Sequence, residues 1–217
     1  VRYGKMGCIL VARHGASEWN LSETGERVRG WDPVRLSSVG RWEAFDLANR
    51  IARKYRIGTV YTSDLPRAQE TAEAIADRVK ASISPSIDLR TWNLGYLTGC
   101  VVANVLADLQ FYDANQDECP KDGESKKHFI ERYERDLWEL MSDTRKSKYD
   151  SVLVTHSRNC VATPNLVAGR PQAPYRAIPT GALMELRPDG KRWKIILFRK
   201  ALRAIVDGEV ELSEGRW

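Results

Sequence analysis

Short apolar runs alternate with stretches of helical periodicity along most of the chain. Cys8–Ala12 (CILVA) is an unbroken apolar run that stops at charged residues, the pattern of a buried strand. Arg41–Tyr55 places Trp42, Phe45, Ala48, Ala52 and Tyr55 at helical spacing, and Thr59–Thr62 (TVYT) reads as a second strand. The stretch from Ser63 to Lys80 predicts a helix, with Asp64 as N-cap, Pro66 in the first turn and Ala68, Ala72, Ile75, Ala76 and Val79 on one face. Ile83–Leu89 reads as a third strand, which Pro85 sends to a sheet edge. Residues 101–112 have a helical pattern, and residues 113–124 are polar, contain Pro120 and Gly123, and read as a loop. A helix follows with Phe129, Ile130, Tyr133, Leu137, Leu140 and Met141 on one side. Ser151–Thr155 is a further strand, leading into a helix from about Arg158 to Val167. Residues 181–187 and 193–199 form a strand pair, with Pro188, Asp189 and Gly190 as turn residues.

Strands alternating with helices predict an α/β fold: a three-layer sandwich with a mostly parallel central sheet and helices on both faces. The expectation is one domain over residues 1–217, with residues 1–7 given no functional weight. Three of the strands end in polar clusters, namely Arg13-His14-Gly15, Ser63-Asp64 leading to Arg67, and His156-Ser157. Ligands of open α/β sheets bind beyond the carboxyl ends of the strands, so parallel neighbours would bring these clusters to one rim. Helix N-termini at that rim favour an anion.

Composition narrows the reading. The chain has 217 residues, 42% of them hydrophobic, enough for one good-sized core. No apolar run reaches the length of a transmembrane helix, and Val1–Gly7 is too short and polar for a secretory leader. The net charge of +5 is spread along the chain, which speaks against a nucleic-acid-binding stripe and suits a small anionic ligand. The four cysteines, Cys8, Cys100, Cys119 and Cys160, lack metal-ligand spacing and read as free thiols in a reducing compartment, hence a cytoplasmic protein with no membrane partner.

A neutral imidazole is a competent nucleophile near pH 7, and neighbouring guanidinium groups oppose its protonation. Guanidinium groups bind phosphate bidentately and keep their charge. Arg13, His14, Arg67 and His156 together therefore describe a phosphoryl pocket in which His14 attacks phosphorus and the others hold the equatorial oxygens. The set calls for no metal and no cofactor. Taken singly, each residue also has an ordinary reading as a turn, helix-surface or core side chain.

The stretch VARHGASEWN, Val11 to Asn20, resembles the opening motif of the histidine phosphatase superfamily, in its phosphoglycerate-mutase-like branch. Gly30-Trp31-Asp32 with Leu36-Ser37 and Gly40, Thr62-Ser63-Asp64-Leu65 with Arg67-Ala68 and Glu70-Thr71-Ala72, Leu94-Gly95 with Gly99, Gly123-Glu124-Ser125, and Val154-Thr155-His156 follow in the family's order. The resemblance implies that His14 is the phosphorylated nucleophile and that Arg13, Arg67 and His156 complete the pocket. It gives Asn20 a phosphate contact, against an alternative as a turn residue. Ser157 would add its hydroxyl or backbone N–H. Arg29 either reaches the substrate or is solvated.

One departure matters. Many members carry a glutamate as proton donor to the leaving group where this chain has Thr91. The nearest substitutes are Glu124, read either as the acid or as an arginine's partner, and Asp64, read as a helix cap. Trp92 and Tyr96 are candidate cavity walls, and His128 reads as exposed. The expected activity is metal-independent hydrolysis of phosphate esters, anhydrides or phosphoramidates through a phosphohistidine, on a phosphorylated small molecule or phosphoprotein. The alternatives are a phosphoglycerate-mutase-type phosphotransferase and a pseudoenzyme that binds phospho-ligands without turnover.

Overall fold

The computed structural model describes residues 6–20, 23, 25–172, 175 and 177–197. Six strands, β1 (Ile9–Arg13), β2 (Ile57–Ser63), β3 (Ser82–Ser86), β4 (Asp150–Thr155), β5 (Leu183–Asp189) and β6 (Arg192–Leu197), form one sheet in the order β3-β2-β4-β1-β5-β6. The β3-β2-β4-β1 portion is parallel, and β5 and β6 are added antiparallel. Helices α1 (Ser38–Ala52) and α2 (Pro66–Val79) cover one face. Helices α4 (Lys126–Lys146) and α5 (Ser157–Ala168) cover the other, and α3 (Leu106–Ala114) follows a 3-10 turn. In β1, Leu10 and Ala12 join the α1/α2 core while Ile9 and Val11 join the opposite one. That division is why the strand reads as a continuous apolar run. The three-layer α/β sandwich is the fold expected from the sequence.

Several local expectations need correction. Helix α1 does not bury Trp42 and Phe45, which are 67% and 60% exposed; its inner face is Gly40, Ala44, Leu47, Ala48 and Ile51. Leu47, Ala48 and Ile51 of this face share one core with Ala68, Ala72, Ile75 and Ala76 of α2, so helix packing, not aromatic bulk, sets its orientation. Asp64 does not cap α2. Leu65 occupies that position without a side-chain bond, and Asp64 grips Arg90 through two 2.6 Å hydrogen bonds. The third strand ends at Ser86 rather than Leu89, at the sheet edge that Pro85 implied. Pro188 and Asp189 belong to β5, leaving Gly190 and Lys191 as the turn; residues 198 and 199 of the expected last strand lie outside the described residues.

The loop after β1 is held from several directions. His14 N–H bonds the Thr155 carbonyl of β4 (3.0 Å), Gly15 N–H bonds Thr71 Oγ1 of α2 (3.2 Å), and Ala16 N–H bonds Glu43 of α1 (2.8 Å). Ser37 caps α1 by accepting from Gly40 N–H (3.0 Å) and donates its own hydroxyl to the Ala16 carbonyl (3.0 Å). Backbone meets backbone here: a Cβ on Gly40 would lie 1.9 Å from the Ala16 oxygen, and one on Gly15 would lie 2.3 Å from the Gly40 oxygen. Only glycine permits this approach.

A second clamp holds residues 88–93. Arg132, in the middle of α4 and buried, donates to the carbonyls of Asp88 (2.8 Å), Arg90 (2.9 Å) and Thr91 (2.8 Å). Glu124 fixes that guanidinium at 2.6 and 3.0 Å and also accepts from Asn93 N–H (2.8 Å).

Gly40→Ala is expected to lower stability by about 1–3 kcal/mol, the range for overpacking, and to cut activity by displacing the loop that carries His14. Denaturant unfolding and steady-state turnover check both effects. Glu124→Gln strips Arg132 of its countercharge, and breaking a buried pair of this kind costs about 3–5 kcal/mol. Lost activity with unchanged unfolding would instead show Glu124 acting in the chemistry.

Candidate active site

β1 and β4 are parallel neighbours in a register that pairs Arg13 with Thr155, so the residues following each strand, His14 and His156, emerge side by side. Their ring centroids are 5.1 Å apart, edge to face. Arg67 reaches the same place from the first turn of α2, and Ser157 opens α5 there. Arg13, His14, Arg67, His156, Ser157, Arg29 and Thr91 all line one cavity of about 170 Å³. Asn20, Asp64 and Glu124 are not among the described residues that line it. Asn20 closes its own turn instead, its Oδ1 accepting from Ser17 N–H (3.0 Å) and Ser17 Oγ (2.9 Å). Trp92 is a buried cavity wall, whereas Tyr96 is exposed and lies off the cavity.

His14 is fixed as one tautomer, and His156 is held by a serine hydroxyl. His14 Nδ1 lies 2.7 Å from the Gly15 carbonyl, which can only accept; Nδ1 therefore carries the proton and Nε2 the lone pair. Ser63 Oγ accepts from Leu65 N–H (3.3 Å) and lies 2.9 Å from His156 Nε2. With the serine proton directed to Nε2, His156 Nδ1 is left as a donor. Both imidazoles are held well below the ordinary histidine value, first by burial and then by positive neighbours. For His14 these are Arg67 and Arg13; for His156 they are Arg67, His14 and Arg13.

The arginines are held by backbone oxygen. Arg67, 1% exposed, donates to the carbonyls of Asp32 (2.9 Å) and Gly30 (2.8 Å). Gly30 presents its carbonyl from a left-handed conformation (φ +43°), where a Cβ would also meet Thr98 Oγ1 at 2.4 Å. Arg13, equally deep, donates to the Ile178 carbonyl. Among the described residues neither guanidinium has a carboxylate within ion-pair distance. Burial, then the charges of Arg29 and Arg13, push Arg67 down to about 9, so it remains a cation at neutral pH. Arg13 Nε, Arg67 Nε and His156 Nδ1 are buried and have no hydrogen-bond partner among the described residues. An anion in the cavity would relieve the cost of unmet buried donors. The arrangement suits a tetrahedral oxyanion beside a lone-pair nitrogen, and its positive field disfavours a metal cation.

Two charged residues, Arg158 and Glu26, are among the cavity residues that sequence reasoning missed. Arg158, in the first turn of α5, lies over Trp92 (4.8 Å) and Tyr175 (4.2 Å) and pairs with Asp113 (3.0 Å). Glu26 lines the mouth, pairing with Arg29 at 2.8 Å. Neither is among the motif residues singled out from the sequence; the contacts of Arg158 come from distant segments, whereas Glu26 is held by its sequence neighbours Arg29 and Asn20. Among the described residues, no helix is long and apolar enough to cross a membrane.

Residues 9–200 match the sequence model of the histidine phosphatase superfamily (branch 1). A 2,3-bisphosphoglycerate-dependent phosphoglycerate mutase of Cytophaga hutchinsonii is 30% identical over 162 residues, covering 71% of this chain and 74% of that protein. A metal-independent phosphoserine phosphatase of Arabidopsis thaliana is 31% identical over 159 residues, 68% of this chain and 63% of its own length. With the phosphoglycerate mutase-like protein 4 of the same plant, identity is 38% over 94 residues, so the match spans 43% of this chain and only 40% of that relative. Among solved structures, a mycobacterial glucosyl-3-phosphoglycerate phosphatase shares the fold with a TM-score of 0.76 at 23% identity, covering 88% of this chain and 98% of that one. On the extent of the family match, together with the motifs that build the cavity, the chain belongs to the histidine phosphatase superfamily.

Proposed function

We propose that this chain is a phosphatase that hydrolyses phosphate monoesters, and related anhydrides or phosphoramidates, through a phosphohistidine on His14. The observation that carries the reading is the tautomer of His14: a buried, neutral imidazole whose lone pair on Nε2 shares a cavity with two arginines that have no carboxylate partner among the described residues. In the first step Nε2 bonds phosphorus as the bond to the leaving oxygen breaks, and the alcohol departs with a proton. In the second, water attacks phosphorus, the P–N bond breaks, and inorganic phosphate leaves. Arg13, Arg67 and the His156 donor stabilise the equatorial oxygens in both steps, and Ser157 stands at the same wall.

The leaving-group side favours a phosphatase of larger alcohols over a mutase of phosphoglycerate. Val28, Leu94, Val102, Leu109 and Trp92 form an apolar wall, and the cavity adjoins a second chamber of about 440 Å³ that shares Val102, Leu109, Arg158 and Tyr175 with it. A three-carbon acid would leave most of this wall uncovered. The similarity to a phosphoserine phosphatase agrees with hydrolysis, and the similarity to a mutase keeps phosphoryl transfer as the rival. We assign the chain to one domain and to the cytoplasm, where its four free cysteines suit reducing conditions.

His14→Ala should abolish turnover and acid-labile labelling by a phosphoryl donor while the protein stays folded; retention of activity within about tenfold, near 1.4 kcal/mol, excludes the nucleophile role. Arg67→Ala should lower kcat by about 10²–10³, the effect of removing one electrostatic clamp. Chelators should leave activity unchanged.

The histidine environments also set a pH response. His14 and His156 titrate well below 6.5 in the folded chain, while the unfolded chain takes up their protons near 6.5. Their contribution to stability is therefore complete above about 6.5 and is lost as pH falls below it. NMR of labelled imidazoles should show both rings neutral at pH 6.5, with Nδ1 protonated.

A further inference from the structure

The carboxyl groups nearest the motifs are committed elsewhere. Asp64 is held by Arg90 and Glu124 by Arg132, each through two hydrogen bonds, and neither lines the cavity. Thr91, at the position of the expected acid, lines it but has no acidic proton. Among the described lining residues one carboxylate remains, and it is Glu26.

Building on the phosphohistidine reading, we propose that Glu26 is the proton-transfer residue of this enzyme, giving its proton to the departing oxygen in the first step and taking one from the attacking water in the second. Three observations support the assignment. Glu26 is at the cavity mouth and half-exposed, so it exchanges protons with solvent. Its Oε1 is anchored by Arg29 Nη1 (2.8 Å) and by Asn20 Nδ2 (3.1 Å), which orients the carboxyl group. Glu26 and Arg29 line the same cavity as Arg13, His14 and Arg67, which places the pair beside the phosphoryl pocket.

In the first step Glu26 brings a proton taken from solvent at the cavity mouth. The O–P bond then breaks as the Glu26 proton passes to the bridging oxygen, leaving an alcohol, a phosphohistidine and a carboxylate. Water next delivers its oxygen to phosphorus and one proton to Glu26 as the P–Nε2 bond breaks, which restores the acid. Asn20 acts here as a positioning residue for Glu26.

The test is kcat/KM across phosphate monoesters whose leaving groups run from nitrophenol to simple alcohols, for the native protein, Glu26→Gln and Glu26→Asp. Glu26→Gln should lose about 10²–10⁴-fold on alkyl esters, the usual worth of general acid catalysis, and about tenfold or less on nitrophenyl phosphate. The dependence on leaving-group pKa should steepen accordingly, and Glu26→Asp should recover part of the alkyl activity. Labelling of His14 by nitrophenyl phosphate should persist in Glu26→Gln and accumulate, because hydrolysis of the intermediate is slowed. An equal loss on both ester classes, or no loss, overturns the assignment while leaving the phosphohistidine reading intact. Absence of label on His14 in the native protein overturns the phosphohistidine reading instead. Glu26→Gln should unfold at the native midpoint, since the side chain is half-exposed.

Discussion

Two guanidinium groups are buried in this fold without a carboxylate to balance them among the described residues, and much of the surrounding architecture follows from that fact. A buried cation is costly unless polar groups replace its water. Arg67 is satisfied by the carbonyls of Gly30 and Asp32, and Arg13 by that of Ile178. Carbonyl dipoles lower the cost of burial without cancelling the charge, so the net positive potential survives for an anion. A carboxylate in their place would stabilise the empty protein more and the phosphoryl complex less. The unmet donors Arg13 Nε, Arg67 Nε and His156 Nδ1 express the same compromise, in which stability is given up at the site and recovered elsewhere.

The recovery lies in the shell that carries the chemistry without taking part in it. Ser37, Gly40, Glu43 and Thr71 fix the loop holding His14, and Arg132 with Glu124 fixes the segment holding Thr91 and Trp92. These bonds link helices from both faces of the sheet to its carboxyl rim. A site made rigid in this way places donors before the substrate arrives, the condition for electrostatic stabilisation of a transition state.

What the sequence disclosed divides along a physical line. Arg13, His14 and His156 follow directly from strand ends, and Arg67 from the helix that begins just after one, because parallel strands bring their carboxyl ends together whatever the loops do. Trp42 and Phe45 mislead because hydrophobic periodicity weighs bulk, while α1 buries Leu47, Ala48 and Ile51 against α2 and sets Gly40 against the Ala16 backbone. Asp64 misleads because its local sequence suits a cap, and only the fold reveals Arg90 beside it. Arg132 is invisible beforehand for a related reason: the carbonyls it holds lie 41 to 44 positions away. Glu26 has near neighbours as partners, Arg29 and Asn20, but no periodicity or motif marks it as facing the cavity.

The register of β1 against β4 bears on how the cavity tolerates change. Adjacent strands sit about 4.7–4.9 Å apart, a spacing set by the peptide hydrogen bond itself. His14 and His156 follow strands in that relation, and their rings are 5.1 Å apart. The backbone thus brings the two imidazoles together, and a one-residue slip of either strand would reverse the faces of all its side chains. Substitutions outside the two strands leave that pairing in place, and Thr91 and Glu26, which line the same cavity, lie outside them.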